Sequence, residues 1–242
     1  MHPTLTKKLK NVRSLIRHMG YDIHRFGMGQ DAYFDIKGII GSNSSPITFD
    51  VGANVGQTID ALRSLFPSPT IHAFEPDQTA FDSLLRTHSK IPCVHLNRLA
   101  LGSKHGKQQF FENSSSDMSS FLALGPQGWG QIRNQREIEV STVDRHCSQH
   151  GIPFIDLLKS DTQGFDLEVI KGAQGLFNAR KVRLLYLELT FQKLYHGIPP
   201  MDEMYRFICD QGFELISFYK FSYRNGRAGW TDALFIQPQF QI

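Results

Sequence analysis

The 242-residue sequence has only three cysteines, and they follow no pairing or metal-binding pattern. Cys93, Cys147 and Cys209 lie far apart, and none belongs to a Cys-x-x-Cys or Cys/His arrangement. A disulfide framework needs paired cysteines, and a zinc site needs closely spaced cysteine and histidine ligands. The sequence therefore argues against both and is typical of a protein from a reducing compartment.

Long apolar runs are missing as well. No segment reaches 18 consecutive apolar residues, and the N-terminus lacks the apolar stretch and small-residue cleavage site of a signal peptide. We therefore predict a cytoplasmic protein without a membrane span, and no ligand spacing predicts a metal site.

Charge is nearly balanced over the whole chain, with 26 basic and 23 acidic residues, but it is uneven along it. Residues 1–26 hold six Lys or Arg and one Asp. Residues 5–19 place apolar side chains at steps of three and four, which predicts an amphipathic helix with a basic face. We expect residues 1–44 to form this helix and a linker. The helix would pack on the domain or in a homodimer, or make a weak contact with a membrane surface.

Residues 45–242 are expected to form one domain in which strands and helices alternate. Such alternation predicts a doubly wound, mostly parallel sheet between two helical layers. Asn225-Gly226 predicts a C-terminal antiparallel hairpin, with a loop longer than two residues. The predicted strands are 47–51, 70–74, 93–97, 154–161 and 183–189, and the predicted helices are 57–66, 77–88, 166–172 and 202–211.

Residues 112–135 are rich in Ser, Gly and polar side chains, and they are too many for an ordinary connection. We interpret the segment as a mobile lid or substrate loop. A disordered surface excursion is the alternative.

The stretch "ITFDVGANVGQT", residues 47–58, runs from an apolar strand into a glycine-rich turn. Glycines leave room for a ligand to approach the backbone, and the first such turn of a parallel sheet lies at its ligand-binding edge. A dinucleotide fingerprint fails here because Asn54 and Gln57 stand where glycines are required, and no Gly-Lys-Ser/Thr follows for a P-loop. Glu75 lies 25 residues after Asp50, a spacing that suits an acceptor for ribose hydroxyls. The pattern predicts a nucleoside ligand.

Six motifs together resemble the FkbM family of S-adenosylmethionine-dependent methyltransferases: "FDVGANVGQT", "AFEPD", "LALGS", "KSDTQGFDLEVIKGA", "LYLEL" and "TDALFI". The resemblance spans roughly residues 45–237. It implies the seven-stranded class I methyltransferase fold, S-adenosylmethionine as cofactor, and a hydroxyl acceptor on a sugar, polysaccharide precursor or secondary metabolite. Many members of the family carry Glu where this sequence has Gln163.

The resemblance also implies roles for individual residues. Glu75 would hold the ribose, Ala100 and Leu101 would flank the adenine, and Asp161 would face the sulfonium or the acceptor. Residues expected around the methionine part of the cofactor are Asp50, Gly52, Asn54, Gly56 and Thr58. A hydroxyl acceptor is a poor nucleophile while protonated, so a general base is expected. The candidates are Asp161 and Glu188, at the ends of strands, and His196 in the loop beyond.

Two other functions are alternatives to O-methylation. The turn after the fourth core strand, Asp161-Thr162-Gln163-Gly164, does not resemble the Asn/Asp-Pro-Pro-aromatic turn of amino-directed nucleic-acid methyltransferases. Basic residues also lack the interleaved aromatic side chains of a nucleic-acid interface. A non-catalytic cofactor-binding or interaction module is the second alternative, and the intact turn with Glu75 argues against it.

Overall fold

The computed structural model describes residues 12–14, 16–20, 27–42 and 44–240. Residues 12–14 and 16–18 are helical, in agreement with part of the helix predicted over 5–19. Residues 5–11 and residue 15 of that prediction lie outside the described residues. The remaining helices are α1 Ala32–Ile40, α2 Gln57–Leu65, α3 Gln78–His88, α4 Val143–His150, α5 Asp166–Lys171, α6 Gln174–Asn178 and α7 Met201–Asp210. In this part of the chain no helix has the length and apolar character needed to cross a membrane.

The main sheet is mostly parallel, as predicted, and its order is β10-β11-β8-β7-β1-β2-β3, with β9 also paired to β11. Antiparallel β11 lies between β8 and the short edge strands. The sheet has one strand more than the seven expected, because the short β10 adds to the edge. Its strands are β1 Ile47–Val51, β2 Thr70–Phe74, β3 Val94–Asn97, β7 Ile155–Ser160, β8 Val182–Thr190, β9 Glu214–Phe218, β10 Ser222–Arg224 and β11 Arg227–Ile236.

Helices cover both faces of this sheet and make a three-layer αβα sandwich. One core cluster joins α1, α2 and α3 to the sheet, and the other joins α4, α5, α6 and α7 to its opposite face. The central strands are apolar on both faces, as strands buried between two helical layers must be. On β8, for example, Leu184 packs in the first cluster and Leu185 in the second.

Helix α1 belongs to the folded domain, although the sequence analysis assigned its residues to a linker. Asp31 caps its N-terminus by accepting a hydrogen bond from the Phe34 N–H, and Ile36 and Ile40 are buried in the core. Asp35 is buried too, and it accepts hydrogen bonds from the Tyr219 hydroxyl and the Gly29 N–H. The linker prediction is therefore wrong for residues 32–40.

The C-terminal hairpin is confirmed, but its loop is shorter than predicted. Arg224 pairs with Arg227, so Asn225 and Gly226 alone form the loop, with φ of 51° and 72°. Two residues with positive φ are the signature of a type I′ turn, whose twist matches that of the flanking strands.

A second, three-stranded sheet has the order β4-β6-β5 and was not predicted. Its strands are β4 Ala100–Leu101, β5 Gly106–Asn113 and β6 Ile132–Ser141. Most side chains of β5 and β6 are polar and exposed, so they show no clear alternation. Both ends of the predicted 112–135 loop are therefore strand.

Residues 114–131, which we call the strap, connect β5 to β6 and pack against the rest of the protein. Met118 and Ser120 are buried, Ser120 forms a β-bridge with Phe111, and Leu124 forms another with Tyr195. The alternative of a disordered excursion does not describe this segment. Its movement as a lid stays a prediction.

Candidate active site

The glycine turn after β1 presses directly against the end of β7. Gly52 has φ of 78°, and a Cβ atom there would lie 2.0 Å from the Asp161 carbonyl oxygen. No side chain fits in that space, so glycine is required by the packing of two strand ends. Gly56, with φ of 100°, begins α2, and a Cβ there would lie 2.4 Å from the His88 ring.

Glu75 directly follows β2 and lines a cavity beside the glycine turn, which we call the Glu75 cavity. Its Oε2 accepts a hydrogen bond from the Asn54 N–H and its Oε1 accepts one from the Asp77 N–H, each at 2.8 Å. Each carboxylate oxygen keeps acceptor capacity for one further donor. Burial raises the pKa of Glu75 to about 7, against the lowering effect of these two N–H groups.

Apolar side chains form part of the wall of the Glu75 cavity. They include Ala100 and Leu101, together with Phe121 of the strap. Such a wall beside a carboxylate suits an aromatic base joined to a ribose. Further apolar residues along the wall are Leu99, Phe110 and Phe165.

A buried ion pair between Lys159 and Asp50 supports the glycine turn. Lys159 Nζ lies 3.0 Å from Asp50 Oδ1, donates to the Gly52 carbonyl at 3.2 Å, and lies 4.0 Å from Asp161 Oδ2. Burial alone would lower the pKa of Lys159, but the carboxylates of Asp50 and Asp161 outweigh it and raise that pKa. Lys159 is therefore charged and joins the ends of β1 and β7.

A second cavity lies beside the ends of β7 and β8 and the middle of β11, and we call it the Glu188 cavity. It shares Gly52, Asn54 and Asp161 with the Glu75 cavity, so the two meet at Asp161. Because Ser160 of β7 is in register with Leu187 of β8, Asp161 and Glu188 are neighbours on adjacent parallel strands. Other residues that line the Glu188 cavity are Tyr33, Gln57, Thr58, Lys159, Tyr186 and Asp232.

The Glu188 cavity concentrates negative charge. Burial, followed by the charges of Asp161, Asp166 and Asp232, raises the pKa of Glu188 well above its ordinary value. Asp232 is directly opposite Glu188 on β11 and accepts a hydrogen bond from the Tyr186 hydroxyl at 2.9 Å. Burial also raises the pKa of Asp232, although that hydrogen bond opposes the change. These raised pKa values make both carboxylates better proton acceptors than ordinary ones.

The structure brings most of the predicted site residues to the two cavities. Glu75, Ala100 and Leu101 line the first, Thr58 and Glu188 line the second, and Gly52, Asn54 and Asp161 line both. Asp50 and Gly56 line neither cavity.

The prediction that His196 belongs to the site is corrected, because the structure does not bring its side chain to either cavity. It is exposed in the loop after β8, where its main-chain N–H donates to the Ala123 carbonyl. The preceding residue, Tyr195, takes the inward position and is buried.

Four residues of the site were missed by the sequence analysis: Tyr33, Lys159, Tyr186 and Asp232. Lys159 follows the apolar pair Leu157-Leu158 in a strand that is buried on both faces, and a charge in a buried strand requires a partner. That anomaly could have identified it. Tyr33 gave no such signal, because only the packing of α1 brings it to the site.

Comparison with known proteins gives these cavities a context. A sequence model described as the Methyltransferase FkbM domain matches residues 50–215. The chain belongs to the FkbM methyltransferase family. It is also 27% identical over 185 residues to the 2-O-methyltransferase NoeI of Sinorhizobium fredii, an alignment that covers 71% of this chain and 74% of NoeI.

Solved structures agree on the fold. The fibrillarin pre-rRNA processing protein of Methanococcus jannaschii superimposes with a TM-score of 0.50 at 10% identity, over 85% of this chain and 74% of that one. At this identity the likeness concerns the class I methyltransferase fold and not the substrate.

As an FkbM methyltransferase, the protein uses S-adenosylmethionine, and the Glu75 cavity fits that cofactor. The Asn54 side-chain oxygen is buried and has no hydrogen-bond donor among the described residues. The Glu75 carboxylate has spare acceptor capacity next to it. A ribose diol and an ammonium group supply the donors that these acceptors need.

Proposed function

We propose that this FkbM methyltransferase is an O-methyltransferase that acts on a hydroxyl group of a sugar, a polysaccharide precursor or a secondary metabolite. The observation that carries the proposal is the junction of two cavities at Asp161, one lined by Glu75 and apolar side chains and the other lined by carboxylates. The relative NoeI is a 2-O-methyltransferase, which supports oxygen as the methylated atom.

In this proposal the Glu75 cavity holds the adenosine part of S-adenosylmethionine. Glu75 accepts hydrogen bonds from the ribose hydroxyls, and Ala100 and Leu101 contact the base. Asn54 and Thr58 bind the methionine part. When bound, the cofactor supplies an electrophilic methyl group on a positively charged sulfur. The Asp161 carboxylate, at the junction of the two cavities, would then be close to this positive charge.

The acceptor hydroxyl would occupy the Glu188 cavity, where Glu188 takes its proton. A raised pKa makes Glu188 a stronger base than an ordinary carboxylate. Asp232, held by Tyr186, would bind a second hydroxyl of the acceptor and orient it. Placing the two reactants in line accounts for as much as ~7–11 kcal/mol of the barrier reduction.

The acceptor can be sought by mass spectrometry of glycans and small metabolites from cells with and without the protein. We expect one species to differ by a single methyl group. If methyl transfer from the purified protein is found only on nucleic acid or on amines, the proposal is wrong.

With an acceptor in hand, Glu188→Gln should lower turnover by ~10²-fold or more and leave the affinity for S-adenosylmethionine unchanged. In the parent enzyme the rate should rise with pH as Glu188 loses its proton, and the substitution should remove this acidic limb. Glu203→Gln, on the exposed surface of α7, is the matched control and should behave as the parent. Unchanged turnover in Glu188→Gln would exclude Glu188 as the base.

A further inference from the structure

The turn after β7 places Gln163 between Asp161 and two distant segments of the chain. Its Nε2 donates to Asp161 Oδ1 at 2.9 Å, and its Oε1 accepts from the Tyr195 hydroxyl at 2.9 Å. Its main-chain carbonyl accepts from the Ser120 hydroxyl of the strap at 2.8 Å. The amide is therefore oriented at both ends, and the residue contacts both the strap and the loop after β8.

The backbone of this turn is held in an unfavourable conformation. Gln163 has φ of 56°, and Gly164, which follows it, has φ of 89°. A residue with a Cβ atom adopts the left-handed region only when its surroundings impose it. The contacts of Ser120 and Tyr195 supply that constraint.

Tyr195 is a fixed donor. It is 2% exposed, and its backbone is bridged to Leu124 of the strap. Burial, followed by the charges of Glu188 and Asp161, raises the pKa of Tyr195, so its hydroxyl keeps its proton at neutral pH. The Asp161 carboxylate accepts from the Gln163 Nε2–H, which leaves the amide oxygen as the acceptor for the Tyr195 hydroxyl. That hydroxyl also lies 3.3 Å from Met118 Sδ.

We propose that Gln163 is a positioning residue that holds the Asp161 carboxylate at the junction of the two cavities, and that Tyr195 and the strap hold Gln163. The inference rests on the proposed function, in which Asp161 lies beside the positively charged sulfur of the cofactor. A neutral amide is suited to this role because it donates an N–H to Asp161 and adds no charge of its own. A glutamate at 163 would place two carboxylates in contact, and these would share a proton.

The test compares the binding of S-adenosylmethionine with that of S-adenosylhomocysteine, which lacks the methyl group and the positive charge. Calorimetry gives both dissociation constants, and their ratio reports the negative charge near the sulfur. Asp161→Asn should reduce the preference for S-adenosylmethionine roughly tenfold, since one charge is removed at short range. If this variant leaves the ratio unchanged, the placement of Asp161 in the proposed function is wrong.

Gln163→Ala addresses the positioning role itself. It should reduce the same ratio several-fold in the parent and have no effect in the Asp161→Asn background, because no charge remains to be positioned. Tyr195→Phe should act in the same direction with a smaller effect. A purely structural role would weaken the binding of both ligands equally. If Asp161→Asn changes the ratio and Gln163→Ala does not, the positioning inference is overturned and the proposed function stands.

Gln163→Glu provides a pH signature. Above neutral pH the added charge should raise the preference for S-adenosylmethionine over that of the parent, and a new titration should appear as the shared proton binds at lower pH. Gln109→Glu adds the same charge on the exposed surface of β5 and should leave the ratio and its pH dependence unchanged. A Gln163→Glu profile that matches this control would also overturn the inference.

Discussion

Glu75 accepts hydrogen bonds from two main-chain N–H groups while it lines the Glu75 cavity. One side chain therefore both fixes the glycine turn and is available to a ligand. Glu75→Ala should weaken S-adenosylmethionine binding by about 1–3 kcal/mol, through loss of hydrogen bonds to a charged acceptor. Calorimetry measures the change, and Glu214→Ala on the exposed edge strand β9 is the control. Equal affinity in Glu75→Ala and the parent would remove Glu75 from the site.

The raised pKa of Glu75, about 7, adds a pH dependence at the same residue. Below this pKa the carboxyl group is protonated and has lost acceptor capacity and charge. Affinity for S-adenosylmethionine should therefore fall as the pH is lowered from 8 to 6, and Glu75→Gln should show a flatter profile at lower affinity. Parallel profiles for the two proteins would assign the titration to another group.

At the scale of elements, the strap and the loop after β8 depend on each other through close backbone packing. A Cβ atom on Gly125 would lie 2.6 Å from the Lys193 carbonyl oxygen and 2.8 Å from the Tyr195 N atom. Gly125→Ala should push the strap away from this loop. We expect faster hydrogen exchange at residues 116–125 and 193–196, with the amides of β1 and β7 unchanged.

Gly38→Ala is the matched control for this substitution, because nothing lies within 4 Å of a Cβ atom on Gly38 in α1. It should leave exchange in the strap unaltered, since alanine is favoured over glycine in a helix. If Gly125→Ala also leaves exchange unaltered, the strap does not depend on this contact.

At the scale of the whole molecule, a row of four histidines should make stability sensitive to acid. His72 of β2 and His146 of α4 are buried, with 3.3 Å between His72 Nδ1 and His146 Nε2. His95 stacks on His72 and His150 stacks on His146. Burial and the neighbouring histidines lower the pKa of His72 to about 3 and that of His146 to about 4.

Because these folded-state pKa values lie below the unfolded value near 6.5, the unfolded chain binds more protons between them. Stability should be full above pH 6.5 and should fall as the pH drops toward 4. Between pH 7.5 and 5 the loss from this pair should be roughly 2–4 kcal/mol. Urea unfolding across this range measures it.

His146→Phe should reduce the acid slope, whatever its effect on stability at neutral pH. His196→Ala, at an exposed loop position, should leave the slope as it is in the parent. An unchanged slope in His146→Phe would show that the acid sensitivity has another source.

The sequence by itself determined the fold class, the main parallel strands and, through its resemblance to a family, the cofactor. The strands follow from local signals, which are apolar runs with a period and a glycine turn between a strand and a helix. The cofactor follows from the six motifs that carry the resemblance. The ends of parallel strands meet at one edge, so Asp161 and Glu188 could be placed together without knowledge of the packing.

Only the tertiary structure decided which other side chains reach that edge. Tyr33 comes to it because α1 packs on the sheet, and Tyr195 replaces His196 because the loop turns the tyrosine inward. The polar strands β5 and β6 gain their structure from pairing with each other, which leaves little trace in their own sequence. The contacts of Gln163 with Tyr195 and Ser120 join residues 32 and 43 positions apart, and no local pattern specifies such contacts.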